Sequence, residues 1–492
     1  MAGLKSLAKD TAIYGLSSIL GKFLNWCFVF LYINVLRSTS DYGIVTNLYA
    51  YMALLLIILT YGMETGFFRF ANDKNCDNPM RVYSTTLISI ASTSSLFIAI
   101  TALLLNPISN IMGYPNAQEC IMMLAIIIAI DAFISIPFAY LRYQKKALRF
   151  ATLKLINIAL NIALNLFFFL LCPYIYEHKP EAISWFFSYD KLVTYIFISN
   201  LISSVATLIM LLPELKGFKY TFDKKLWRTM LRYSLPILVL GIAGIMNQTF
   251  DKMFYPYLAV NRPAHMEELG IYGAVFKIAI VMVMFTQAFR FAYEPFIFAK
   301  NKNEGGDAKA MYALTMKWFI ITSLLIFLGV MFYIDVVSFL MPPAYFKCIH
   351  IVPVIRAAEV FVGIIFNLSL WYKLTDRTQW GAYLAIFGFI ILAVVNIAFV
   401  PQYGYAACAW ASFACYFAMM IASYIIGQHY YPIKYPLKEI GAYTLLAAIL
   451  YAVGMYTPIE NSVLKYTLRT ALLLIYMATI AKPLLKTKRG GR

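Results

Sequence analysis

DYGIVTNLYAYMALLLIILTYGMETGFFRF, residues 41–70, is an apolar run long enough to cross a bilayer, with Glu64 and Arg69 in its last turns. It opens with an acid, one spacer, Gly43 and Ile44. The opening returns in ELGIYGAVFKIAIVMVMFTQAFRFAYEPFIF, residues 268–298, where Glu268, Gly270 and Ile271 take the matching places. Both runs hold a late acid, Glu64 and Glu294. A second echo links YLRYQKKALRF, from Tyr140, to LWYKLTDRTQW, from Leu370. Each of these leads into a run with an asparagine at similar depth, Asn165 and Asn396. Two echoes at offsets near 227 to 231 residues mark an internal repeat. Equivalent segments stand six spans apart, so both copies cross in the same sense. Two such lobes with a site between them form a transporter plan.

Composition agrees. Of the 492 residues, 62% are hydrophobic and only 13% charged, and the mean hydropathy is +0.72. A soluble chain of this size could not hide so much apolar surface. Apolar runs of about 20 residues recur from end to end. The expectation is an all-α membrane protein of about fourteen spans. Spans 1–6 and 7–12 form two pseudo-symmetric lobes, residues 1–213 and 214–427. Residues 428–492 add spans 13 and 14 and a basic tail.

The net charge of +18 would suit nucleic acid if it were clustered on one soluble face. It falls instead on alternate inter-span links, which is the positive-inside pattern. Lys5 and Lys9, the stretch Arg142–Lys154, the stretch Lys216–Arg232 and the tail from Lys482 all take the cytoplasmic side. Both termini are thus expected in the cytoplasm, and nucleic acid is not an expected partner. The seven cysteines are scattered and the four histidines lie in separate segments, so no metal site is expected. GLSSILGK, residues 15–22, imitates a phosphate loop but has one residue too many and is followed by Phe23.

A few charges fall inside the runs. They are Lys22, Glu64, Asp131, the neighbours Asp251 and Lys252, Lys277, Arg290, Glu294, Arg356 and Glu359. A charge facing lipid costs several kcal/mol, at least about 2.5, so each should face a water-filled cavity or a partner. Arg290 with Glu294, and Arg356 with Glu359, have the spacing of pairs along one helix face. Lys252 reads as a snorkelling end cap. Lys22 and Lys277 have no acid at helical spacing and suit an open cavity. Asn157, Asn161 and Asn165 form a stripe that faces protein or water.

The stretches YGMETGFFRF (61–70), LRYQKKALRFATLKLINIALNIALNL (141–166), ELGIYGAVFKIA (268–279) and VNIAFVPQYGYAACAWAS (395–412) carry a family likeness. The whole chain resembles the polysaccharide and lipid-linked oligosaccharide flippases of the multidrug/oligosaccharidyl-lipid/polysaccharide exporter superfamily. It departs from their usual Gly-Ala-Ala after the Tyr-Gly turn, with Ala406, Ala407 and Cys408 there. The resemblance implies a V-shaped pair of six-helix bundles, alternating access and a bacterial inner-membrane location. It implies an undecaprenyl-pyrophosphate-linked sugar chain as substrate, with membrane lipids and polysaccharide-assembly proteins as partners. On that reading Lys22, Lys277, Arg290 and Arg356 form a cationic cavity for the anionic head group. Glu64, Asp131, Glu294 and Glu359 moderate it or couple transport to protons or Na⁺. No other cofactor is expected, and a monomer is. Alternatives are a lipid II flippase, a multidrug exporter and, from another class, a membrane-embedded sugar polymerase or ligase. An enzyme of that kind would hold a large outer loop with paired acids or basic residues. The longest outer loop here, Pro173 to Asp190, is short and lacks an acid pair.

Overall fold

The computed structural model describes residues 20, 23, 24, 26–73, 78–300 and 305–489, and these form helices joined by turns, with no strand among them. Twelve helices are long and apolar enough to span a membrane, or thirteen when the bent pair His265–Ile278 and Val281–Arg290 counts as one span. The expected first span, residues 11–36, lies partly outside the described residues, which there include the short apolar helix Trp26–Val35. The chain divides into two compact units, Met1–Gly273 and Ala274–Arg492.

In the first unit the helices are α1 (Trp26–Val35), α2 (Thr39–Thr60), α3 (Met63–Ala71), α4 (Pro79–Leu103), α5 (Leu105–Met112), α6 (Gln118–Tyr143), α7 (Ala147–Leu166), α8 (Cys172–His178), α9 (Pro180–Ile183), α10 (Leu192–Met210), α11 (Lys224–Leu258) and the first part of α12 (His265–Ile278). A capping box starts α2: the Asp41 amide donates to Ser38 Oγ at 3.1 Å and the Ser38 amide to Asp41 Oδ2 at 3.2 Å. The run that reads as one span breaks at Tyr61 and Gly62, which take φ of 32° and 70°. Such left-handed values suit glycine and end a helix. α3 then resumes with Glu64 in its first turn.

The core of this unit joins α2, α3, α4, α6 and α10 through Leu48, Phe67, Tyr83, Ile128, Ile136 and Phe197. Tyr83 stacks on Tyr140 with centroids 4.3 Å apart.

α11 packs along α2, and α12 crosses α2 at a point where the duplication can be seen. A Cβ on Gly43 would overlap the Met266 carbonyl, and one on Gly270 would overlap the Thr39 carbonyl. Thr46 likewise fills the space that a Cβ on Gly273 would need. Thr39 and Met266, Gly43 and Gly270, and Thr46 and Gly273 are each 227 residues apart. Each copy of the motif therefore meets the other through equivalent residues.

The second unit holds the end of α12, then α13 (Ile280–Lys300), α14 (Gly305–Phe332), α15 (Val352–Leu368), α16 (Leu370–Leu374), α17 (Gln379–Tyr403), α18 (Tyr405–Tyr430), α19 (Leu437–Tyr456) and α20 (Ser462–Arg489). α17 and α18 form a hairpin through Gly404 (φ 58°), and α15 packs on α18. α19 and α20 pack on α14 around Leu328, Phe332, Leu450 and Tyr476. Arg469 locks that group: it donates to the Gly454 carbonyl at 3.0 Å, the Phe332 carbonyl at 2.9 Å and Asp335 at 2.7 Å. The repeat shows in local geometry here too. Lys145 and Asp376, 231 residues apart, are two of only three non-glycine residues with positive φ among those described. Asn165 and Asn396, at the same offset, are both fully buried.

Candidate functional site: charges inside the spans

In the first unit the break after α2 points Glu64 at α6, whose last turn supplies Arg142. The two form an ion pair, with both side chains more than a third exposed. The Arg142 guanidinium also lies 5.0 Å from the Phe68 ring centroid and 5.9 Å from that of Phe150. Lys154, two turns into α7, has its ammonium 4.2 Å from the Phe138 ring and within electrostatic reach of Asp131, Glu64 and Arg142. Asp131, midway along α6, accepts from Ser204 Oγ of α10 at 2.8 Å. Two acids and two bases thus lie along the stretch from the middle of α6 to its last turn, in equal number.

The asparagine stripe continues from that cluster. Asn157 donates to Thr207 Oγ1 at 2.8 Å and the Ser203 carbonyl at 3.0 Å, and Asn161 donates to Asn200 Oδ1 at 3.0 Å. Asn200 in turn donates to Tyr49 Oη at 2.6 Å, and Tyr32 donates to Asn165 Oδ1 at 2.7 Å. The stripe is a seam of hydrogen bonds that holds α7 to α10, the arrangement polar residues adopt between spans. Lys154 lies three residues before Asn157, so it belongs to the same face. The sequence reading placed Arg142 and Lys154 among the cytoplasmic loop cations and did not join them to Glu64 and Asp131. Continuing the stripe back one turn was the signal that could have found Lys154.

Lys252 is not a snorkelling cap. Its Nζ sits 3.1 Å from both carboxylate oxygens of Asp251, and the two side chains are 12% and 3% exposed. Asp251 also accepts from Tyr272 Oη at 2.5 Å. Asn47 braces this region by donating to the Lys252 and Met253 carbonyls at 2.7 and 3.1 Å.

In the second unit Arg290 of α13 is exposed, and its guanidinium lies 5.2 Å from the Phe366 ring centroid. Lys373 reaches the same ring at 5.0 Å. Tyr372 feels the charge of Arg290. Two cations thus gather around one aromatic surface. Lys373 is the repeat equivalent of Arg142, 231 residues on. Lys277 is half-buried in the last turn of α12.

The sequence reading puts Arg356 in a cationic cavity or in a pair with Glu359. It is fully buried, and its NH2 donates to the Ile278 carbonyl at 2.7 Å. That carbonyl ends α12, where the chain bends by 44° before α13. Arg356 therefore caps a broken helix, with Glu359 acting on it electrostatically. Its Nε and Nη1 have no hydrogen-bond partner among the described residues. Lys22 and the side chain of Glu294 lie outside the described residues. Among the described residues, no three His, Cys, Asp or Glu side chains gather to hold a metal ion.

Beside α15, an apolar cavity of about 530 Å³ opens between α14, α18 and α19, lined by residues such as Ile320, Phe327, Phe361, Ile364, Met420 and Tyr451.

These features, long bent and broken spans with charges at the breaks on a duplicated helix plan, define a multi-pass helical membrane protein. Over 97% of its length the chain overlays on 99% of a structure of lipid II flippase MurJ in an inward closed conformation, with a TM-score of 0.74 at 13% identity. A multidrug resistance MATE family transporter in an inward-facing conformation matches 86% of the chain and 96% of its own length, with a TM-score of 0.66 and 13% identity. The polysaccharide biosynthesis protein family matches residues 7–299, and the chain belongs to that family. No curated protein sequence matches it.

Proposed function

We propose that this chain is a flippase. It turns a polyprenyl-diphosphate-linked oligosaccharide from the inner to the outer leaflet of the bacterial cytoplasmic membrane by alternating access. The family assignment carries this reading: it connects a transporter fold to polysaccharide assembly. The side chains supply a chemical rationale. A diphosphate must leave water to cross about 30 Å of hydrocarbon. Arg290 and Lys373 offer it charge-assisted hydrogen bonds, and the Phe366 and Tyr372 rings beside them offer a surface for sugars. The cavity lined by Phe327 and Phe361 matches the chemistry of a hydrocarbon tail. Glu64 and Asp131, each next to a base, are the groups proposed to take up a proton or Na⁺. Both termini are assigned to the cytoplasm by the basic links, and the chain is proposed to act as a monomer alongside polysaccharide-assembly proteins.

The overlay on a lipid II flippase favours a second reading, with a peptidoglycan precursor as cargo. One assay separates the two. Proteoliposomes holding the purified chain are loaded with a fluorescent polyprenyl-diphosphate oligosaccharide or with fluorescent lipid II, and dye bleaching from outside reports translocation. Faster flipping of the oligosaccharide is expected. Flipping of lipid II alone would replace the first reading with the second, and flipping of neither would reject both.

A further inference from the structure

At the start of α11, Lys224, Lys225, Arg228, Thr229 and Arg232 line a hollow of about 410 Å³. All five are exposed. Lys216 and Lys219 precede them, so residues 216–232 hold six cations and one acid, Asp223. That acid is committed elsewhere. It accepts from the Lys225 and Leu226 amides at 2.9 and 3.0 Å and pairs with Arg81 at 2.5 Å. Asp223 also feels the charge of Lys225, but among the described residues no ion pair ties any of the four cations that line the hollow to a carboxylate. Like charges so close repel, and a bound anion removes that repulsion.

The same helix face says what kind of anion. Lys224, Arg228 and Arg232 recur every four residues, so they form one stripe. Leu235 and Val239 continue it and are 46% and 52% exposed. Tyr220 and Phe222 stand exposed just before the helix, the placement aromatic residues take at a membrane surface. A basic hollow that gives way along one face to bare apolar side chains has the polarity profile of a phospholipid: phosphate at the surface, chains beside the helix.

We propose that this hollow is a binding site for the phosphate head group of an anionic membrane phospholipid, held as a resident lipid and not as cargo. Its residues are not among the charges described at the span breaks, and it does not depend on the substrate proposed above. Clusters of Lys and Arg where a span meets the surface attract acidic lipid in this way.

The test uses the full chain in nanodiscs of phosphatidylcholine with a minor fraction of phosphatidylglycerol, and native mass spectrometry counts the lipids retained. Wild type is expected to prefer phosphatidylglycerol by about tenfold. The variant Lys224→Gln/Arg228→Gln/Arg232→Gln should bring the preference close to one. Lys145→Gln/Lys146→Gln, which removes an exposed basic pair elsewhere, should leave it unchanged. If the triple variant does not fold, Arg228→Gln and Arg232→Gln singly should each lower the preference about threefold. An unchanged preference in the α11 variants overturns the proposal. So does an equal loss in the Lys145/Lys146 variant, which would mean diffuse surface charge. Displacement of the lipid by millimolar inorganic phosphate would point to a free-phosphate site and also overturn it, as would preferential retention of a polyprenyl diphosphate.

Discussion

Arg356 shows what a buried cation does when, among the described residues, no ion pair holds it. It satisfies the last carbonyl of α12 at the bend, and it does so without exposure to water. Arg356→Ala removes the donor and leaves a void, so it should cost about 2–4 kcal/mol. Arg356→Met refills most of the volume and abolishes the desolvated charge, so it should cost less than half as much. Thermal unfolding of the purified variants compares the two, and equal losses would mean that the charge itself is what matters. Glu64 and Arg142 obey a different rule, because their pair is part-exposed. Glu64→Gln should leave Arg142 a lone cation at a span end and reduce the amount of folded protein, and adding Arg142→Gln should restore most of it, read as protein recovered in the membrane. If Glu64 or Asp131 also takes up the coupling ion, Glu64→Gln or Asp131→Asn should weaken the response of flipping to an imposed proton or Na⁺ gradient. Unaltered responses in both would move the coupling elsewhere. Glu64, Asp131 and Arg290 stood out in the sequence as charges within apolar runs. Lys154 was hidden because it sits where a basic link becomes a span. The role of Arg356 was hidden for another reason: the bend it caps falls in Phe276–Met282, which has no glycine or proline to announce it.

At the level of elements, the breaks in α2–α3 and α12–α13 decide where charges can be tolerated, since a broken helix exposes backbone groups that want polar partners. The other notable joint is electrostatic. Asp335, in the link after α14, is partly desolvated, which alone would raise its pKa. Lys465 at 2.5 Å and Arg469 at 2.7 Å outweigh that and hold it below the usual carboxylate range. A carboxyl whose folded pKa lies below its unfolded value stabilises the fold at every pH above the unfolded value of about 4. That contribution fades as pH falls through the lowered folded value. Asp335→Asn should therefore lower the unfolding temperature at pH 6, and the gap from wild type should close as the pH drops below about 4. A gap independent of pH would mean that Asp335 acts through packing alone. The α2–α12 crossing depends on shape instead. Gly270→Ala should destabilise by about 1–3 kcal/mol through overlap with the Thr39 carbonyl, while Gly441→Ala, where a Cβ meets open space, should change little.

For the whole molecule, hydropathy and the repeat sufficed to read an all-helical, multi-pass, duplicated plan, because in hydrocarbon a chain must satisfy its backbone within each span. Which helices pack together was not legible, since apolar faces in lipid carry little directional pattern; nothing in residues 224–258 says that they lie along α2. Single cysteines at Lys145 or Lys224, in a chain without its native cysteines, should resist an impermeant thiol reagent in intact cells, whereas one at Lys179 should react. Labelling of the first two from outside would reverse the assigned topology. The Gly43–Gly270 crossing has a further consequence. Each glycine meets the backbone four residues before its own equivalent in the other copy, which is the reciprocity of a twofold homodimer. A chain carrying only one copy of the motif could close this contact only by meeting a second molecule of itself. Fusion into one polypeptide replaces that encounter with an intramolecular one, at an effective concentration fixed by the connecting chain and not by expression level. It also frees the two copies to diverge, so that one can hold Arg142 against Glu64 while the other turns Lys373 toward Phe366.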